Sequence, residues 1–291
     1  MTGRISMKRT GNASMKFSEA LKNGSDALMA ADISDAALDA WYLLSFVTGL
    51  TKQQYYLSMT SEMEESVYKT YIELVEQRAK HVPLQHLTHE QEFMGLSFYV
   101  DENVLIPRQD TEVLVETALK LLNEADSVLD LCTGSGCIVL SLIHHGKNIK
   151  GTGSDISGKA LEVSKKNAKC LGLEVSYNQG DLFEGIKGNY DMIVSNPPYI
   201  ATAEIAKLQE EVRLHDPLIA LDGHEDGLIF YKRITAKAPS FLKSGGWLIF
   251  EIGFDQGEAV STLMKDNGFT QVEVIKDLCG LDRVVKGKYH V

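Results

Sequence analysis

The spacing of hydrophobic positions changes along the chain. Between about 17 and 90 apolar residues recur at helical intervals, as in Val67, Tyr71, Leu74 and Val75, and the run Ala40 to Val47, with Trp41, Leu43, Leu44 and Phe46, reads as a buried helix. Ser61 with Glu64 three residues later has the form of a capping box for the Val67 helix. Gly49 is placed to stop the helix before it, and Pro83 limits its far end. Between 91 and 106 the pattern turns to short extended runs, Leu96 to Val100 and Val104 to Ile106, which predict a hairpin turning at Asp101-Glu102-Asn103. Pro107 ends that pattern, and Asp110 or Thr111 is placed to cap a helix running toward Leu122.

From Ser127 onward strand-length apolar runs alternate with helical segments. Strands are expected near 128–131, 149–153, 175–178, 190–195 and 247–252, with helices near 137–145, 158–171, 226–238 and 256–267. This alternation predicts an α/β fold, a parallel sheet with helices on both faces. Two last strands, near 270–276 and 283–289, are separated only by Asp277 to Asp282. No crossover helix fits there, so they should form an antiparallel hairpin at the sheet edge. The expected divisions are an extension at 1–16, a helical domain at 17–90, a β-hairpin linker at 91–106 and the sheet domain at 107–291.

The first eighteen residues carry Arg4, Lys8, Arg9 and Lys16 with no acid, and they lack the apolar core of a secretory signal. They read as a disordered extension, an upstream start before Met15, or an organelle transit segment. Across the 291 residues, 40 acidic against 29 basic residues give a net charge of -11. That balance supplies no electrostatic reason for tight binding to a long nucleic acid. No run reaches the roughly 18 apolar residues of a membrane-spanning helix. The four cysteines, at 132, 137, 170 and 279, form no Cys-x-x-Cys pair and suit a reducing cytoplasm. The pairs His86/His89 and His144/His145 have no third ligand nearby in sequence, so no metal site is expected.

The candidate chemistry lies where strands end. Asp130-Leu131-Cys132-Thr133-Gly134-Ser135-Gly136 puts two glycines at the first strand-to-helix turn, where backbone can approach a ligand closely. Asp155 follows the second strand, nineteen residues beyond Gly136, and is placed to accept from two ribose hydroxyls. Val139 stands where the pyrophosphate fingerprint needs its third glycine, and no Gly-Lys-Ser/Thr follows the loop. An aspartate ahead of the loop suits a ligand with a cationic sulfonium or ammonium end, which favours S-adenosylmethionine. The candidate cofactor set is Asp130, Cys132, Thr133, Gly134, Ser135 and Gly136 near the methionine part, Asp155 on the ribose, Asp181 and Leu182 around adenine, and Asn196. Cys132 and Cys137 need only be small and fairly apolar there.

Asn196-Pro197-Pro198-Tyr199 follows the strand Tyr190 to Ser195, at the end of a sheet where ligands bind. Asn196 supplies a side-chain carbonyl, and the prolines fix the backbone while removing two N–H donors. A substrate NH2 can give one hydrogen to Asn196 and the other to the Pro197 carbonyl, leaving its nitrogen aimed at a methyl donor. An adenine amino group and a glutamine amide both satisfy this chemistry.

Together these residues resemble the bacterial-type peptide chain release factor glutamine methyltransferases over roughly Phe17 to Tyr289. The matching segments include Phe98-Tyr99-Val100, Pro107-Arg108-Gln109-Asp110-Thr111-Glu112, the Asp130 to Gly136 loop, Ser195 to Ile200, Asp226-Gly227-Leu228, Glu251-Ile252-Gly253 and Asp282-Arg283-Val284-Val285. The glycine loop marks only the superfamily, and Asn-Pro-Pro-Tyr also resembles adenine N6 methyltransferases. Pro107 to Glu112 separates the chain from a sister family that modifies a ribosomal protein. His215-Asp216-Pro217 departs from the usual Glu-Pro. The resemblance implies a seven-stranded Rossmann-like S-adenosylmethionine-dependent sheet, an N-terminal helical domain and a β-hairpin linker. It also implies methyl transfer to the side-chain amide nitrogen (N5) of the glutamine in the Gly-Gly-Gln motif of class I release factors, with S-adenosylhomocysteine as product. The implied catalytic residues are Asn196, Pro197 and Tyr199, with Pro198, Phe98 and Arg108 added on the substrate side. The expectation is a cytoplasmic monomer. The alternatives are a ribosomal-protein glutamine methyltransferase and an adenine-N6 nucleic-acid methyltransferase.

Overall fold

The computed structural model describes residues 15–290. The chain divides into two units, at Thr88/His89. The expected extension lies outside the described residues except for Met15 and Lys16, which are ordered parts of the first unit: Lys16 bridges Glu62, and the Met15 carbonyl accepts from Met63 N–H at 2.7 Å.

The first unit is helical, with α1 (Phe17–Met29), α2 (Ala36–Thr48), α3 (Lys52–Ser58), α4 (Glu65–Arg78) and α5 (Leu84–Thr88). Its core gathers Leu28, Leu43, Leu44, Tyr71 and Val75. Gly49 ends α2 in the left-handed region at φ 69°, donating to the Ser45 carbonyl at 2.7 Å. The expected capping box at Ser61/Glu64 does not form. Glu64 is itself the N-cap of α4 and makes no capping bond, while Ser61 N–H donates to Ser58 in the turn after α3. The reciprocal box belongs to Thr51 and Gln54 at the start of α3. The run through α2 is amphipathic rather than buried: Leu43 and Leu44 face the core, while Tyr42 and Phe46 are about half exposed. A buried ion pair, Arg78 Nε to Asp39 Oδ2 at 2.7 Å, ties α4 to α2.

The second unit opens with the hairpin β1 (Gln91–Phe93) and β2 (Leu96–Phe98). The turn is at Met94-Gly95, both left-handed (φ 52° and 72°), which is the backbone a two-residue hairpin turn requires. The expected hairpin at Asp101 to Asn103 is therefore displaced toward the N-terminus, and Val104 to Ile106 is not a strand. Gln109–Thr111 forms a 3-10 turn leading into α6 (Glu112–Leu119), and neither Asp110 nor Thr111 makes a capping bond.

Seven strands follow: β3 (Ser127–Leu131), β4 (Lys150–Asp155), β5 (Val175–Gln179), β6 (Tyr190–Ser195), β7 (Leu242–Glu251), β8 (Phe269–Lys276) and β9 (Asp282–Tyr289). Their order is β5-β4-β3-β6-β7-β9-β8, parallel from β5 through β7, with β9 antiparallel between β7 and β8. The principal helices are α7 (Cys137–His145), α8 (Gly158–Leu171), α12 (Ile229–Lys237) and α13 (Gly257–Asp266); the short α9 (Thr202–Ile205), α10 (Glu210–His215) and α11 (Leu218–Leu221) fill the β6 to α12 connection. The period-two alternation of the central strands feeds two cores. Val128, Met192 and Val194 pack with α6 and α7, while Leu129, Ile193 and Leu248 pack with α12 and α13. Order reverses between β4-β3 and β6, so β3 and β6 deliver Asp130 and Asn196 beside the switch point.

Candidate functional site

A cavity open to solvent lies at the carboxyl ends of these strands. Of the expected residues, Cys132, Thr133, Gly134 and Ser135 of the β3 to α7 loop, Asp155 at the β4 end, Asp181 and Leu182 after β5, and Asn196, Pro198 and Arg108 line it, joined by Ser154, Gly180 and Thr111.

The loop is built around backbone conformations that side chains disfavour. Gly134 and Gly136 have φ 54° and 80°, and Cys132 also lies in the left-handed region. At Gly136 a Cβ would meet Ser164 Oγ at 2.1 Å. Two aspartates hold the turn. Asp155 accepts from Gly134 N–H through Oδ2 at 2.9 Å and from Ser157 N–H through Oδ1 at 2.9 Å. Asp130 is fully buried beneath the loop and takes the Thr133 hydroxyl on Oδ2 at 2.6 Å. Its Oδ1 has no hydrogen-bond partner, and burial pushes its carboxyl up to about 7 against the Thr133 bond. A glycine loop that lets backbone approach, with the Asp155 carboxyl in the wall, fits a ligand that brings hydroxyl groups. Asp130 is not on the cavity surface, so its direct partner is the loop itself. Burial also raises the Cys132 thiol, and takes that of Cys137 to about 12, leaving both thiols neutral at ordinary pH. Asp181 pairs with Arg233 at 2.7 Å on the exposed rim.

The acceptor tetrapeptide is braced from behind. The Ile200 carbonyl takes Gly223 N–H at 2.8 Å, Ile200 N–H donates to Leu221, and Gln256 Nε2 donates to the Tyr199 carbonyl at 3.0 Å. Gly223 and Gly227 let this brace approach. A Cβ on Gly223 would sit 2.8 Å from Tyr199 Cα, and one on Gly227 would sit 2.3 Å from the Tyr199 oxygen. Among the described residues no backbone donor engages the Pro197 carbonyl. Asn196 and Pro198 line the cavity, with Pro197 between them in the chain. Burial first, and then Glu251, raise the Tyr199 hydroxyl, which keeps its proton.

Arg108 donates to Asp216 at 2.9 Å. Asp216 is the residue of the atypical His215-Asp216-Pro217 segment, and burial raises its carboxyl in spite of Arg108. Phe98 is elsewhere: the β1–β2 register turns it into the core, fully buried edge-to-face with Phe93, rather than into a slot wall. Its neighbour Tyr99 faces outward, with its backbone N–H and carbonyl both bound by the Asn167 side chain, which also donates to Ser135 O at 2.9 Å. Sequence reasoning missed this clamp, the Gly223/Gly227/Gln256 brace and the apolar lining from Val104 to Ile106, Ile156, Ile219 and Phe230. Only Asp226-Gly227-Leu228 had carried a signal.

Two family models match. Residues 19–88 match the PrmC N-terminal domain and residues 108–213 the methyltransferase small domain. The chain is 42% identical over 282 residues to a release factor glutamine methyltransferase of Clostridium acetobutylicum, covering 93% of this chain and 98% of that protein. A protein of the same description from Geobacter sulfurreducens is 41% identical, covering 88% and 90%. Among solved structures, the hMettl16 catalytic domain superposes with a TM-score of 0.57 at 17% identity, covering 75% of this chain and 82% of that one. A methyltransferase from Pyrococcus furiosus gives 0.52 at 16% identity, covering 68% and 90%. These structural likenesses establish the fold.

Proposed function

The chain belongs to the release factor glutamine methyltransferase family, an S-adenosylmethionine-dependent group of enzymes that methylate glutamine in release factors, and we propose that its target is the Gly-Gly-Gln glutamine of class I factors. The observation that carries the site assignment is the pairing of two strand ends around one cavity: the glycine loop with Asp155 on one side, Asn196 on the other. The Cys132 to Gly136 loop, Asp155, Asp181 and Leu182 would hold the cofactor, with Asp130 stiffening the loop from below. When bound, that cofactor supplies a methyl group on a positively charged sulfur.

The protein's part is alignment. A glutamine amide nitrogen is a poor nucleophile because its lone pair is delocalised, so holding it in line and stabilising developing charge must supply most of the acceleration. Asn196 Oδ1 and the Pro197 carbonyl accept the two amide hydrogens and favour a nitrogen that grows more positive. No side chain is required as general base, since the methylated amide sheds its proton readily. Tyr199 backs the tetrapeptide, and Arg108, held by Asp216, meets the substrate backbone at the mouth. The test is a methylation assay with purified class I release factor, followed by mass mapping of the Gly-Gly-Gln peptide. Label should sit on that glutamine and vanish when it is replaced; label elsewhere redirects the assignment.

A further inference from the structure

Glu251 ends β7 one step beyond the rung that pairs Ser195 with Phe250, level with Asn196, the residue that follows the adjacent parallel strand β6. It is 2% exposed, and its Oε2 has no hydrogen-bond partner. The side chains of Asn196 and Thr111 both favour its ionised form. From this arrangement we infer that Glu251 is a positioning residue that selects the working orientation of the Asn196 amide.

This role follows from the proposed role of Asn196 and from what an amide can do. A primary amide presents an acceptor at one end and a donor at the other, and turning it over exchanges them. Methyl transfer needs the acceptor end in the pocket. A carboxylate can only accept, so an ionised Glu251 takes the Nδ2–H and leaves Oδ1 facing substrate. A protonated Glu251 offers its own O–H to Oδ1 and withdraws the acceptor.

Burial pushes the Glu251 carboxyl up to about 7, against Thr111, Arg283 and Asn196, with Asp110 adding to the rise. The other titratable groups facing it are the Tyr199 and Tyr231 hydroxyls and the Cys137 thiol, all raised and all neutral across the neutral range. The ionised form prevails above about 7, so turnover should climb with pH through that value.

The experiment uses the full chain with purified release factor, measuring kcat, KM and cofactor Kd between about pH 5.5 and about pH 8.5. For the native enzyme at saturating cofactor, kcat should rise with a midpoint near 7. Glu251→Gln, nearly isosteric but able to present either end, should lose about ten- to a hundred-fold in kcat above the midpoint and lose the rising limb. Its cofactor Kd should stay close to the native value, and its Tm should not fall below the native one. The double variant Asn196→Ala/Glu251→Gln should be no slower than Asn196→Ala alone. If the native enzyme is active but Glu251→Gln turns over normally, keeps the limb, or multiplies its penalty with Asn196→Ala, the positioning role is overturned and the reaction stands. A native enzyme that leaves the release factor unlabelled overturns both.

Discussion

The two ends of the cavity are built differently. At the cofactor end, the partners that shape the loop are near in sequence or on the adjacent strand: Thr133 beside Asp130, and Gly134 on Asp155. At the acceptor end, the tetrapeptide depends on residues scattered from Thr111 to Arg283. Gly223, Gly227 and Gln256 brace it, Glu251 neighbours Asn196, and Arg283 is itself held by Asp110 and Asp277 at 3.0 and 3.1 Å. The loop takes most of its shape from β3, β4 and the helix α8 beside it, whereas the acceptor is held from many sides of the fold. Binding and turnover should therefore separate under mutation.

The sharpest separation is expected for Asn196→Ala. It should lower kcat by about a hundred- to a thousand-fold, comparable to removing one preorganised polar group, with cofactor Kd unchanged by titration calorimetry. Near-normal turnover would erase the distinction between the two ends. Next come two glycine substitutions with opposite expected readouts. Gly227→Ala, at φ 70° and against the Tyr199 carbonyl, should cost about 1–3 kcal/mol of stability and slow turnover while sparing cofactor affinity. Gly136→Ala, at φ 80° and against Ser164, should instead weaken cofactor binding about tenfold.

The smallest effect concerns pH. Asp130 has its carboxyl raised from 3.8 to about 7, so the folded chain binds that proton more tightly than the unfolded chain. Its contribution to stability is present below the unfolded value and is lost as pH rises toward 7. Asp130→Asn cannot ionise, and without cofactor its Tm should gain on that of the native protein by a few degrees between pH 5 and pH 8. Glu251 shifts in the same direction in both proteins and cancels from the difference.

The contrast between the ends also explains what could be read from the sequence. Strand and helix periods located the seven-stranded sheet, because alternation along β3 and β6 is imposed by two cores. The loop Asp130 to Gly136 was visible for the same local reason. The hairpin was misplaced because Leu96 to Val100 continues an extended pattern past the turn that Met94-Gly95 dictates. Phe98 turned into the core with it, since one step along a strand reverses the face. The Asn167 clamp, 68 residues from Tyr99, and the Gln256 brace, 57 from Tyr199, leave no local trace.

The place of β9 in the sheet order has a consequence for how the enzyme matures. Because Asp282–Tyr289 pairs with β7 on one side and with β8 on the other, β8 joins the sheet only as the outer arm of a hairpin that docks through β9. That same strand brings Arg283 to Asp110 and toward Glu251. Acceptor alignment thus depends on the docking of that hairpin, while the glycine loop is held by β3 and β4 alone among the strands.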